Sequence, residues 1–318
     1  MNPLVTIAIP TYSRVHYLKE AVASALAQTH DPIEVLIGDD GRTESILEWG
    51  RALALQDRRV RYQRNERNLG LSGNFNALAE AAQGEFIVII GDDDRLWPEF
   101  VSTMLAAVEP GTHVAFCNHY LIDSQGARLE AESREHTRRY HRDQLRAGWV
   151  AHPCQCAWQN SVPMTTALLR TADVRRLRFQ EELNTPDIEF FIRLAQEGAR
   201  FVFVPEYLAE YRVHPGSATG TGLRSEELAE RLLPIQVTPE LEPYKRDFLG
   251  PVLVNSVTRC LLRGERTRAG KFLASAYYPQ PRWRHAAGLV QSVCLMLPSF
   301  VGRPLFTAAH RIKAALKW

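Results

Sequence analysis

Three consecutive carboxylates, Asp92, Asp93 and Asp94, follow the most apolar run of the chain, Glu85-Phe-Ile-Val-Ile-Ile90, with only Gly91 between. Such a run is costly unless water, a cation or a hydrogen-bond donor offsets the repulsion. A divalent ion with oxygen ligands does this well, and Mg²⁺ or Mn²⁺ commonly shares its shell with substrate phosphates. Two more carboxylates, Asp39 and Asp40, follow the apolar run Ile33–Ile37. Pro10, Thr11, Tyr12 and Arg14 follow a third, Leu4–Ile9. One isolated Asp reads as a solvated turn capping the helix that begins near Pro98. Three at one strand end, facing two more in the same sheet, read as a metal site.

The elements that must position these groups follow from periodicity. Leu4–Ile9, Ile33–Ile37, Val60–Tyr62 and Glu85–Ile90 are short apolar runs rich in β-branched residues, the pattern of buried parallel strands. Leu18, Ala21, Val22, Ala25 and Leu26 recur on one helical face. Further helices are expected over Glu44–Gln56 and Gly73–Ala82. Residues 1–108 therefore alternate strand and helix, which predicts a mostly parallel α/β sheet flanked by helices. Ligands of such sheets bind beyond the carboxyl ends of the strands, where the residues above lie. Beyond 108 the pattern loosens. A strand is expected over Val114–Asp123, a turn at Ser124-Gln-Gly126, and a charged, irregular stretch over 127–160. Strands near Thr165–Arg170 and Phe201–Val204 flank a helix from Pro186 to Glu197. From Arg224 onward the chain reads as helical, broken at prolines 234, 239, 243, 279 and 281. The division expected is 1–108, 109–217 and a helical extension, 218–318.

Composition excludes several classes. With 45% hydrophobic and 23% charged residues, the 318-residue chain is neither disordered, collagenous nor a coiled coil. Five cysteines are too few and odd in number for a disulfide scaffold, and Cys154-Gln-Cys156 lacks a second pair at zinc spacing. No GxGxxG follows the first strand, and neither GxxxxGK[ST] nor GxSxG occurs, so dinucleotide binding, P-loop hydrolysis and a serine elbow lose their support. Basic residues are dispersed through the body without an aromatic-interleaved stripe, which argues against nucleic acid. The start, Met1-Asn2-Pro3, has no basic leader, and a cytoplasmic protein is expected.

The net charge of +2 conceals an asymmetry: residues 266–318 carry nine basic residues and no acid, leaving −7 on residues 1–265. The longest uncharged apolar stretch, Ala286 to Gly302, has 17 residues, short of the roughly 20 a spanning helix needs. With Trp283, Leu289, Val290, Leu295, Leu297, Phe300, Val301, Leu305, Phe306 and Trp318, this tail suits an interfacial helix pair on an anionic membrane surface. A soluble homodimer burying the same apolar side chains is the competing expectation.

Taken in order, seven segments carry a family likeness. Val5-Thr-Ile-Ala-Ile-Pro-Thr-Tyr-Ser-Arg14, Ala25-Leu-Ala-Gln-Thr29 and Glu34-Val-Leu-Ile-Gly-Asp-Asp-Gly41 come first. Asn68-Leu-Gly70 through Asn74-x-Asn76 to Ala82-Gln-Gly84-Glu85 and Asp92-Asp93-Asp94 with Pro98 follow. Asp187-Ile-Glu-Phe-Phe-Ile-Arg-Leu-Ala195 and Tyr211-Arg-Val-His-Pro-Gly-Ser217 complete the series. The chain over about 4–217 resembles family 2 glycosyltransferases of the GT-A fold, including those that build bacterial cell-surface polysaccharide. The resemblance implies that Thr11 and Tyr12 contact the nucleotide base, Tyr12 by stacking, beside Pro10 and Arg14. It implies that Asp40 accepts from the N3–H of uracil or thymine and that Asp92 lies near the ribose. Asp93, with Asp94, would hold the Mg²⁺ or Mn²⁺ that bridges the diphosphate, approached by His214. Asp187 would be the general base. Two departures stand out. Gly91 occupies the position of the first Asp of the usual pattern, and Pro186 replaces the Glu that often precedes the base. Pro suits the first helical position after Thr185 as N-cap.

These roles match what glycosyl transfer requires. A leaving nucleoside diphosphate gains charge that a metal and cations must stabilise, and an acceptor hydroxyl must lose a proton to a carboxylate. The expectation is an inverting, metal-dependent glycosyltransferase. It would move a hexosyl or deoxyhexosyl group from a UDP- or dTDP-sugar to a glycan or polyprenyl-linked glycan. Family members of this size often use lipid-linked acceptors, which with the basic tail places the protein peripherally on the cytoplasmic face of the inner membrane. A non-catalytic nucleotide-sugar binder of the same fold is the alternative.

Overall fold

The computed structural model describes residues 2–214, 223–281 and 286–315. The chain forms two compact units, Met1–Gly222 and Leu223–Trp318, where the sequence placed the junction at 217/218. The first begins β1 (Val5–Thr11), α1 (Val15–Leu26), β2 (Ile33–Asp39), α2 (Glu44–Gln56), β3 (Val60–Arg64), α3 (Gly70–Ala81), β4 (Phe86–Ile89). These strands lie in the order β3-β2-β1-β4, all parallel, with Val5 opposite both Ile33 and Phe86. Every residue of β1 and β2 is buried, which is why both read as continuous apolar runs rather than alternating ones. α1 turns Leu18, Ala21, Val22 and Ala25 inward, the stripe expected from the sequence.

The unit continues with β5 (Arg95–Leu96), α4 (Phe100–Ala106), β6 (Thr112–Ile122), α5 (Glu130–Arg139), β7 (Gly148–Trp149) and α6 (Pro153–Trp158). It ends with β8 (Ala167–Arg170), α7 (Thr171–Leu177), α8 (Pro186–Gln196) and β9 (Arg200–Arg212). β8 inserts antiparallel between β4 and β6, β9 runs parallel to β6, and β5 and β7 pair antiparallel with β9. The nine-stranded sheet is thus wholly parallel on the β1–β4 side and mixed beyond it. Ser124-Gln-Gly126 is a turn as expected: the Asp123 carboxylate accepts from the Gln125 and Ala127 N–H groups, and Gly126 supplies φ +86°.

Two expectations fail here. Residues 127–160 are not irregular, since they contain α5 and α6. α5 buries only Ser133 and Thr137, so it has no apolar stripe to betray it. The last strand does not stop at Val204 but continues to Arg212, through register shifts against β6 near Asn118. Those shifts break the alternation by which a strand is read.

The second unit is helical, as expected: α9 (Ser225–Leu232), α10 (Glu242–Arg263), α11 (Arg266–Leu273), α12 (Ala286–Met296) and α13 (Ser299–Ala315). Pro243 opens α10 rather than breaking a helix, because the first turn needs no N–H donor there. The fully buried Glu226 holds α9 to α10 through Arg259 at 2.7 Å and Arg263 at 3.1 Å. Among the described residues no helix is long and apolar enough to cross a membrane.

Candidate active site

The carboxyl ends of β1, β2 and β4 open on one side of the sheet, and the end of β9 reaches the same place. Asp92, Asp93 and Asp94 are all buried there. Thr11 Oγ1, at the end of β1, donates to Asp92 Oδ2 at 2.7 Å. The Arg14 guanidinium bridges two of the acids: Nη2 pairs with Asp92, and Nη1 donates to Asp93 Oδ2 at 2.7 Å. His214, just past β9, places Nε2 2.9 Å from that same Asp93 oxygen and 3.0 Å from Arg14 Nη1. Five residues expected from the sequence (Thr11, Arg14, Asp92, Asp93 and His214) therefore meet in one cluster. Burial pushes the Asp92 carboxyl above its usual range, and Arg14 opposes that rise.

Asp94 points elsewhere. Its oxygens accept from Thr165 Oγ1 at 2.8 Å and from the Arg212 backbone N–H at 3.0 Å. Arg212 itself is buried: Nε donates to the Asp93 carbonyl at 2.9 Å, Nη2 to Glu20 at 2.7 Å, and the guanidinium lies over Tyr17. It ties β9 and α1 to the acidic turn. The sequence reading gave Arg212 and Thr165 no role. Their signal is faint, an Arg two residues before His214 and a Thr in an apolar segment.

The cluster fits a divalent cation. Asp93 Oδ2 and His214 Nε2 converge on one point, and the charged nitrogen of Arg14 already stands there as a stand-in cation. No three His, Cys, Asp or Glu side chains among the described residues are placed to hold an ion alone. Mg²⁺ and Mn²⁺ do not need that, since one or two protein ligands suffice when substrate phosphates and water complete the shell. Gly91 suits this geometry: a Cβ there would lie 2.6 Å from Asp93 Oδ1, so a side chain would push the Asp93 carboxylate aside.

Asp40 lies at the end of β2, buried. Its carboxylate accepts from Asn65 Nδ2 at 2.9 Å, the Leu69 N–H at 2.8 Å and the Gly70 N–H at 2.8 Å. A carboxylate has about four acceptor positions, so one is left. Its neighbour Asp39 is committed to Gly41, Tyr62 and Arg64. Pro10 is buried in β1, and Tyr12 stands out at 57% exposure. Gly41 passes so close that a Cβ would meet the Tyr12 carbonyl at 1.8 Å, which fixes Tyr12 beside the β2 end.

Asp187 sits in the first turn of α8, half-buried. Its hydrogen bonds go to the backbone N–H groups of Asp187 and Ile188 rather than to the acidic cluster. Desolvation by burial raises its pKa to about 6 despite those bonds, which suits a general base near neutral pH. Thr185 stands at the N-cap, as expected, but its hydroxyl makes no capping bond and has no partner among the described residues. Asp187 satisfies the first-turn N–H groups instead.

The approach to α8 is held by residues the sequence reading left without a role. Asn76 exchanges two bonds with the Phe179 backbone, at 2.8 and 2.9 Å, and Ser72 donates to the Leu183 carbonyl at 2.6 Å. Both lie on α3, whose first N–H group is taken by Asp40. One helix thus joins the end of β2 to the segment that presents Asp187. Glu189 and Arg193 add a bidentate pair at 2.6 and 2.9 Å, from which Arg193 also donates to the Leu177 and Arg178 carbonyls.

With this geometry in place, comparison with known proteins is informative. Residues 6–165 match the model of Glycosyl transferase family 2. Glycosyltransferase GlyG of Streptococcus pneumoniae is 33% identical over 124 residues, 39% of this chain and 41% of that protein, so the likeness spans less than half of that relative. EpsH of Bacillus subtilis is 26% identical over 288 residues, covering 86% of this chain and 80% of that one. Among solved structures, Staphylococcus aureus TarS 1–349 in complex with UDP-GlcNAc superposes with a TM-score of 0.65 at 16% identity, covering 96% of this chain and 91% of that one. The mannosyltransferase PcManGT of Pyrobaculum calidifontis, in complex with GDP-Man and Mn²⁺, gives 0.60 at 16% identity, covering 100% and 89%. A mixed sheet with acids at its strand ends, and a family match over half its length, make this chain a member of glycosyl transferase family 2 with the GT-A fold.

Proposed function

We propose that the protein transfers a glycosyl group, with inversion, from a UDP- or dTDP-sugar to a hydroxyl of a glycan or polyprenyl-linked glycan. The observation that carries this reading is the convergence of Asp93, His214 and Arg14 at the strand ends. That is where a metal-bound diphosphate belongs in such a sheet. Two structural neighbours hold nucleotide sugars, one of them with Mn²⁺, which supports the donor class and the metal. The preference for uridine or thymidine rests on the last acceptor position of Asp40, which takes a ring N3–H. Tyr12 offers the exposed face on which the base stacks.

Asp93 and His214 are the residues that would hold Mg²⁺ or Mn²⁺. When bound, the metal neutralises charge on the leaving diphosphate. Arg14 adds a second positive charge at the same place. Asp92, fixed by Thr11, is directed to the ribose, and Asp94 keeps the turn in shape through Thr165 and Arg212. Asp187 takes the proton of the acceptor hydroxyl as its oxygen attacks C1 opposite the diphosphate. The C1–O bond to phosphate breaks with its electrons going to the nucleotide, and the anomeric centre inverts.

Pro186 in place of the common Glu and Gly91 in place of the first Asp are the features that favour a non-catalytic binder. Turnover separates the two readings. Full-length protein with Mn²⁺ and a UDP- or dTDP-sugar should release free nucleotide, and Asp187→Asn should slow that release about 10²–10⁴-fold. Donor binding with no release in the presence of any glycan acceptor supports the binder, and an Asp187→Asn enzyme with normal kcat removes the base assignment.

A further inference from the structure

We propose that α12 and α13 form a docking surface for an anionic lipid bilayer, lying on it rather than crossing it. This inference is independent of the donor and metal assignments. Among the described residues, six of the nine exposed large hydrophobic side chains lie on these two helices or at their ends: Leu289, Val293, Met296, Phe300, Val301 and Leu305. The arrangement is a stripe, not scatter. α12 buries Gly288, Gln291 and Cys294, and presents Leu289, Val293 and Met296 at i, i+4 and i+7 on the opposite side. α13 buries Gly302 and Phe306 and presents Phe300, Val301 and Leu305. Each helix thus turns one side, including the hydrogen-bonded Gln291 of α12, to packing, and carries large apolar side chains on the side that meets solvent. Met296 at 84% and Phe300 at 79% exposure stand at the turn between them, like the tip of a wedge.

Charge decides the occupant. No acidic residue follows Glu265, and Arg303 and Arg311 on α13 and Lys271 on α11 are exposed, although Arg303 also donates to the Leu262 carbonyl at 3.3 Å. A two-fold homodimer burying these stripes would bring two copies of their basic, acid-free border together. An anionic headgroup layer answers both properties at once, taking the apolar stripe below the headgroups and the basic side chains at their level. The structure trims the set expected from sequence. Arg266 is spent on the Cys294, Leu295 and Leu297 carbonyls at the end of α12, and Arg268 on Glu227, Glu230 and Glu265. Phe306 is core, and Trp283 and Trp318 lie outside the described residues.

The test is sedimentation of the full chain with phosphatidylcholine vesicles, with and without about a third phosphatidylglycerol, at low and high salt, alongside light scattering. Binding should require the anionic lipid and weaken as salt rises. Met296→Gln with Phe300→Gln should weaken it at least tenfold with an unchanged melting temperature, because both side chains are exposed. Lys271→Glu with Arg311→Glu should do the same, each basic residue contributing about fivefold. Absence of binding to anionic vesicles at low salt overturns the proposal, as does binding that neither pair of substitutions alters. A dimer in solution that Met296→Gln with Phe300→Gln converts to monomer assigns the face to a second copy instead.

Discussion

If Asp93 holds a divalent ion as proposed, Arg14 and that ion compete for the same oxygen. Arg14 Nη1 stands 2.7 Å from Asp93 Oδ2, at the point on which His214 also converges. Arg14→Met should therefore bind Mn²⁺ more tightly than wild type in the absence of nucleotide, while its KM for donor rises. Mn²⁺ titration followed by electron paramagnetic resonance reads the first effect, and unchanged Mn²⁺ affinity would remove Arg14 from this place. Asp187 carries a second prediction at this scale. Its folded pKa of about 6 lies above its ordinary 3.8. Between those values the folded state holds a proton that the unfolded chain has lost, so stability falls as pH rises through that window. If Asp187 is the general base proposed, it must be deprotonated to act, so kcat/KM should rise with pH through about 6 and then level off. At pH 7 burial opposes the charge on the same carboxylate. Asp187→Asn should gain about 1–3 kcal/mol of stability while losing turnover, a pairing that a purely structural Asp does not produce. Urea unfolding at pH 5 and pH 7 checks the sign.

At the scale of elements, α3 joins the end of β2 to the segment that presents Asp187. Asp40 holds its first turn, and Ser72 and Asn76 hold the segment before α8. Asn76→Ala leaves the Phe179 N–H and carbonyl buried without partners, at a cost of about 2–4 kcal/mol. If the segment matters for positioning Asp187, kcat in folded Asn76→Ala should fall while donor affinity stays within about twofold. Equal losses in both would mean general disorder instead. The strands that carry the acids were legible because each is buried on both faces and ends abruptly in polar residues. α5 was not, since apolar periodicity is absent from it. Its other signal is electrostatic: Glu130 and Glu132 in the first turn, His136, Arg138 and Arg139 in the last, as the helix dipole favours. The far half of β9 escaped because its register shifts against β6 interrupt alternation. At the site itself, residue types at strand ends pointed to Thr11, Arg14 and the three acids. The clamp made by Arg212 and Thr165 was invisible, because nothing in sequence separation foretells that Arg212 folds back across 119 positions to the Asp93 carbonyl.

For the molecule as a whole, the two units differ in kind. Met1–Gly222 carries the family fold and the acids, and Leu223–Trp318 is a helical unit with a basic, apolar surface. Gly91 shows how one position can accommodate the rest: it departs from the usual acidic pattern, yet a side chain there would strike Asp93. Gly91→Ala should accordingly weaken Mn²⁺-dependent donor binding with little loss of stability, and undiminished binding would show that the acidic turn can shift. The most direct measurement is thermal unfolding of the full chain with UDP-, dTDP-, GDP- and CMP-sugars, each with and without Mn²⁺, for wild type and Asp93→Asn. A UDP- or dTDP-sugar at 100 times its Kd should add about 2.7 kcal/mol, only with Mn²⁺ and only in wild type. An equal shift without metal, a shift retained by Asp93→Asn, or a response confined to GDP- or CMP-sugars would contradict the assignment of metal and base recognition to these strand ends.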